Sequence, residues 1–166
     1  MPPPAQGFSV GPQNLPPGVS AGQLSEWPQR AIGWLIDFVP FLVVGIIALI
    51  VGAVISTVLQ YLFDLINIAL GIFFAYQVGT FGSTPGMRVA GLKCVSVKTG
   101  QPLGFGMAFV RALIHAIAFA LCLIPGIVDM LFPLWDAQKQ TLADKLVSSM
   151  VVNVPKGPFE IMPKTS

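Results

Sequence analysis

The sequence predicts an all-α integral membrane protein: a two-helix transmembrane hairpin, a third broken or re-entrant helical region, and a small cytoplasmic β-element. Three observations carry that prediction. Of the 166 residues, 54% are hydrophobic and only 10% are charged, with a mean hydropathy of +0.78; soluble domains carry roughly 25% charge. The run from Arg30 to Leu59 is apolar almost throughout, with one carboxylate, Asp37, inside it. About twenty apolar residues already cross the hydrocarbon core of a bilayer. Finally, a second apolar run follows after a very short connection, and a third is broken by Pro125-Gly126.

Residues 1–26 hold six prolines and four glycines. Such a stretch buries too little apolar surface to offset the entropy of ordering, so a disordered leader is expected. It has neither the basic n-region and short apolar core of a cleavable signal peptide nor a lipoprotein cleavage motif. Trp27 and Trp34 suit a membrane interface, Pro28 suits a helix start, and Arg30 can snorkel towards headgroups.

The first helix is expected from about Gln29 to Leu59, kinked at Pro40. Gly45, Gly52 and Ser56 lie at helical spacings and form a small-residue face for close packing. Gln60 to Phe63 reads as a tight connection, and a second helix covers about Tyr61 to Val78, with Asp64 and Asn67 near its start.

Between 79 and 106 the pattern changes. Apolar positions alternate through Val89, Leu92, Val95 and Val97, and Lys98-Thr99-Gly100 is a turn signal. Leu146 to Val154 also reads as β, so the two stretches could pair. The third apolar region, 107–135, carries the small-residue ladder Ala108, Ala112, Ala116 and Ala120. Basic residues cluster at Arg30, at Arg88/Lys93/Lys98 and at Lys139/Lys145/Lys156/Lys164, and the connection between the first two helices has none. The positive-inside rule then puts the N-terminus, the middle loop and the tail in the cytoplasm. That requires an even number of crossings, or a re-entrant excursion, after residue 106. We read a broken hairpin turning at Pro125-Gly126, with a plain third span as the alternative. Residues 27–154 form the membrane domain, and 155–166 a flexible tail.

Arg30 and Asp37 share a helix face but lie about 10 Å apart along its axis, so they do not pair directly. Asp37 therefore needs a partner elsewhere. Arg111 and His115, four residues apart on the third region, are candidates. Asp129, just after the break, is a further intramembrane carboxylate. Charged groups at such depth are costly, and they mark either packing contacts or ion and proton handling. His115 is the only histidine, and with Cys94 and Cys122 in different surroundings no metal-ligand spacing exists. No metal, no cofactor and no disulfide is expected. Neither GxSxG, Walker, GxGxxG nor HExxH occurs, so enzyme activity is not expected. A net charge of +2 gives no reason to expect nucleic acid as a partner.

Taken together, these motifs resemble the RDD family of bacterial membrane proteins, named for an arginine and two aspartates. The matching residues are Arg30 with Leu35-Ile36-Asp37, the turn Thr84-Pro85-Gly86-Met87-Arg88 followed by Gly91-Leu92, and the closing segment Asp136, Thr141-Leu142-Ala143-Asp144-Lys145-Leu146 and Val151-Val152. Asp136 and Asp144 both match the second aspartate. The resemblance covers about residues 27–154. Ala143, where many relatives have His, and Met87 depart from the pattern. The Pro-rich leader resembles those of actinobacterial members. The resemblance implies a role in transport of a small ion or ligand, through a polar cluster around Asp37 whose partner comes from the third region or the Asp136–Asp144 segment. The other expected role is an accessory or assembly subunit of a larger membrane complex. Either way the partners are the lipid bilayer and other membrane chains, as a homo-oligomer or a hetero-complex. The place is the cell membrane, with several passes and a cytoplasmic N-terminus.

Overall fold

A computed structural model describes residues 15–121 and 123–161. Residues 1–14 of the expected leader, Cys122 and the last five residues of the expected tail lie outside them. Two long apolar helices dominate: α1, Trp27–Val54, and α2, Thr57–Phe81. Both are long and apolar enough to cross a membrane. α1 is continuous through Pro40.

Their connection is shorter, and lies earlier, than the sequence suggests. Ser56 is not part of a packing face; it is the N-cap of α2, its hydroxyl accepting from Val58 N at 3.2 Å. A serine before an apolar run satisfies one of the orphan donors of a helix start. That cap opens α2 four residues before the expected Tyr61, so Gln60–Phe63 are helical rather than a turn. Gly45 and Gly52 do face α2: a Cβ on Gly45 would meet Asn67 at 3.9 Å, and one on Gly52 would collide with the Gln60 side chain.

After the left-handed cap Gly82, Thr84 caps a short helix α3, Pro85–Ala90. The expected turn is thus a helix start, and Val89 belongs to α3 rather than to a strand. Gly91 (φ 73°) then turns the chain into β1, Leu92–Ser96. β1 pairs antiparallel with β2, Ser149–Asn153, in the register Cys94 opposite Val151. Each strand has a covered outer edge. Cys94 N donates to Gly82 O at 2.7 Å, and Ser25 N donates to Val151 O at 3.1 Å. Residues 15–26, expected to be the end of a disordered leader, are therefore packed on the sheet: Pro16, Leu24 and Ser25 are buried. Residues 155–161 likewise return to α3, where Gly157 N donates to Arg88 O at 3.0 Å.

The third region forms α4, Phe105–Leu121, and α5, Leu123–Leu131. They run antiparallel: His115 meets Asp129, and a Cβ on Gly126 would strike the Phe119 ring. Pro125-Gly126 lie inside α5 and are not where the run breaks. Pro125 sits in the first turn of α5, where a missing N–H has no partner to lose. The alanine ladder is only partly used. Ala108 is buried, whereas Ala116 and Ala120 are exposed. The tight approach of α4 to α2 is made instead at Gly79, where an added Cβ would lie 2.6 Å from Phe105 Cα. A short 3-10 turn, Phe132–Leu134, leads to α6, Leu142–Leu146.

The packed core is small: Val78, Ala90, Leu92, Cys94, Ala108 and Val151. It sits where α3, α6 and the sheet gather at one end of the α1–α2 hairpin. The rest of the hairpin carries its apolar side chains outward, with Leu49 65% and Val54 78% exposed.

Candidate functional site

At the packed end, polar residues from all six helices and β2 converge in two groups. The first centres on Asp144, which is fully buried. Thr141 and Asp144 form a capping box that opens α6: Asp144 N donates to Thr141 Oγ1, and Thr141 N donates to Asp144 Oδ2, at 3.0 and 3.1 Å. The same carboxylate receives Arg30 Nη1 at 3.0 Å, Arg111 Nε at 2.7 Å and Ser149 Oγ at 2.8 Å. One carboxylate thus ties α1, α4, α6 and β2 together. Burial alone would push its pKa up, but the guanidinium groups of Arg111 and Arg30 outweigh that and hold it below the usual carboxylate range.

Next to it, Asp129 on α5 meets His115 Nδ1 on α4 and accepts from Ala143 N of α6 at 3.0 Å. Trp27 Nε1 donates to Met130 O at 3.0 Å, fastening the end of α5 to the start of α1. Asp136 lies outside the group, in an ion pair with Lys145 at 2.7 Å. Of the two aspartates that match the closing segment, Asp144 is thus the one that reaches Arg30.

The second group holds Asp37. Its partner is neither Arg111 nor His115, nor the closing segment. Thr84 Oγ1 donates to Asp37 Oδ2, and Gly86 N donates to Asp37 Oδ1 at 2.8 Å. The carboxylate caps the start of α3 and docks it on α1. The docking demands glycine at 86: an added Cβ would collide with Gly33 O and lie 2.7 Å from Asp37 Cγ. Arg88, on the same short helix, turns away. Its Nη2 donates to Gln77 Oε1 at 2.7 Å and to Ser83 O at 3.0 Å, and its Nη1 to Glu160 O. Among the described residues every direct partner of Asp37 is therefore neutral, whereas Asp144 has two cationic ones.

The residues singled out from sequence come together in part. Arg30, Arg111 and Asp144 form one group, with His115 and Asp129 beside it; Asp37, Thr84, Pro85 and Gly86 form the other. Sequence reasoning missed Ser149 and Gln77. Gln77 is fully buried in the mostly apolar last turns of α2, and that polar residue in an apolar stretch was the signal available for it. Among the described residues no cluster of three or more His, Cys, Asp or Glu side chains could hold a metal.

Cys94, on β1, is fully buried beneath the Asp144 group, and burial pushes its thiol up to about 11. Alkylation follows the thiolate, so at pH 8 Cys94 in the folded protein should react roughly a hundredfold more slowly than in the denatured chain. Peptide mapping after iodoacetamide treatment checks this; equal rates would refute the burial.

Comparison with known proteins follows the same residues. The chain is 48% identical over 81 residues to a "Proline-rich antigen homolog" of Mycobacterium tuberculosis, in two strains, a match covering 49% of this chain and 32% of the relative. It is 42% identical over 81 residues to the "Proline-rich antigen" of Mycobacterium leprae, covering 49% and 31%. The matched part thus covers about a third of the length of these curated relatives, whose mycobacterial source agrees with an actinobacterial chain. No solved structure matches. The family model described as "RDD family" matches residues 24–148, which include Arg30, Asp37, Asp136 and Asp144. With three quarters of its residues inside that match, the chain belongs to the RDD family.

Proposed function

We propose that the protein handles a small monovalent cation or proton within the membrane, along the seam between α1 and α2, with Asp37 as the acid that meets it. The observation that carries this reading is the set of partners of Asp37. A carboxylate inside an apolar helix is costly unless it is paired or meets a mobile charge, and the direct partners here are a hydroxyl and a backbone amide. Asp144, neutralised by two guanidinium groups, has the opposite character: it fastens the packed end together. In this reading α1 and α2 cross the cell membrane, and the α4–α5 pair enters and returns. The packed end, which carries Arg30, Arg88, Lys93, Lys98, Lys139 and Lys145, faces the cytoplasm under the positive-inside rule.

The test is reconstitution into proteoliposomes that enclose a pH-sensitive dye. The wild type should dissipate an imposed gradient on addition of a monovalent cation, and Asp37→Asn should abolish the response while eluting as a folded species. An unchanged response in Asp37→Asn would overturn the reading.

A second role, as an accessory subunit, has its own observation. Two spans with most of their apolar side chains outward cannot enclose a path unaided, so further copies or a larger partner would complete it. Purification from native membranes in mild detergent, followed by mass measurement, distinguishes a lone chain from a complex.

A further inference from the structure

The far half of the hairpin, away from the packed end, holds polar groups that neither cluster uses. On α2, Gln60, Asp64 and Asn67 follow at helical spacing, so they lie on one face within about 10 Å of each other. All three are only partly exposed, while the residue after each, Tyr61, Leu65 and Ile68, faces outward. The face they share is the one turned to α1, where Gly52 leaves room for Gln60 and Gly45 for Asn67. Asn67 lies ten residues into α2, about 15 Å along it and so near mid-membrane. Its Oδ1 is buried with no donor, and no hydrogen bond or ion pair among the described residues engages the Asp64 carboxylate. No countercharge is at hand in the hairpin either. α2 has no basic residue, and the one on α1, Arg30, sits at the other end, bound to Asp144.

One turn further along the same face, a Cβ on Gly71 would meet nothing within 4 Å. Beyond it the seam closes on an aromatic pair, Phe41 against Phe74, with ring centroids 5.5 Å apart and nearly perpendicular. Past that pair, one turn back along α1, comes Asp37. The seam therefore reads as two oxygen-bearing stations separated by two rings.

We propose that Gln60, Asp64 and Asn67 form a second station, a site for a small monovalent cation in the half of the hairpin opposite the cytoplasmic end, with Phe41 and Phe74 as the barrier between it and Asp37. The inference rests on the reading of the seam given above and extends it by a site and a barrier. Three oxygen-bearing side chains, one of them charged, suit a hard cation. A helix-packing role alone would instead satisfy Asn67 Oδ1 with a donor from α1, and α1 offers only Gly45 and apolar side chains there.

The experiment needs no transport. The full chain in phospholipid nanodiscs is treated with dicyclohexylcarbodiimide, a membrane-soluble reagent for protonated carboxyls, in sodium chloride or in choline chloride at equal ionic strength. Peptide mapping then locates the adducts. Asp64 should be labelled in choline and protected several-fold by sodium. Asn67→Leu should keep the labelling and lose the protection, and Asp37→Asn should keep both. An unlabelled Asp64, or labelling at equal rates in the two salts, would overturn the proposal. Protection that persists in a protein that moves no cation leaves this site standing and removes the transport reading; transport without protection does the reverse.

Discussion

Asp144→Asn should lower the thermal midpoint of the detergent-solubilised protein by roughly 10 °C, the shift that corresponds to about 3–5 kcal/mol in a chain of this size. Asparagine keeps the shape but removes the charge, so the buried guanidinium groups of Arg30 and Arg111 lose their only shared anion. The cost arises less from the lost attraction than from the two largely buried cations left without their counter-ion. Two further outcomes follow. Arg30→Gln combined with Asp144→Asn should cost less than the sum of the single changes, because each partner is worth least once the other is gone. Stability should also depend on acid in a fixed sense. The folded pKa of Asp144 lies below its unfolded value near 3.9. Its contribution is then complete above that value and is lost as pH falls towards the folded pKa. A midpoint unmoved by Asp144→Asn would mean that the four-element junction does not hold the packed end together.

Gly86→Ala should be nearly as damaging, although it adds one methyl group. The new carbon would press on Gly33 O, which is backbone of α1, and on the Asp37 carboxyl. Neither can yield without α3 lifting from α1, and with it the two hydrogen bonds to Asp37. Overpacking of this kind costs about 1–3 kcal/mol or more, and the transport-type response expected of Asp37 should fall with it. Gly106→Ala is the control. A Cβ there meets nothing within 4 Å, and alanine in a helix is favoured over glycine by up to about 1 kcal/mol. If both substitutions behave alike, the close approach of α3 to α1 is wrong.

The two long helices were legible because each is an apolar run of about the twenty residues that cross a bilayer, and the paired strands because alternation is a local pattern. The connection between α1 and α2 was not read correctly, since Ser56 is a cap whose meaning depends on where the preceding helix stops. Pro125 misled in the same way: it begins α5 and does not break the run. The partner of Asp37 was out of reach for a different reason. Thr84 lies 47 residues away, and its short side chain gives no hint that it competes with Arg111 or His115 for a carboxylate. Charge complementarity suggested the cationic candidates; backbone geometry at Gly86 selected a neutral pair. Arg111 was correctly suspected of pairing with a carboxylate, but with the wrong one.

The Arg30–Asp144 pair also has a consequence in time. Its members are 114 residues apart in the chain. A ribosome adding about 5–20 residues per second needs on the order of ten seconds to make the second after the first. Once α2 ends at Phe81, Thr84 follows within three residues and can meet Asp37, whereas Arg30 still waits for Asp144, 60 residues further on. The nascent hairpin must wait with the Arg30 guanidinium facing water or lipid phosphate. Truncated nascent chains ending before residue 144 should therefore be the species most exposed to membrane proteases and most dependent on the insertion machinery that shelters them.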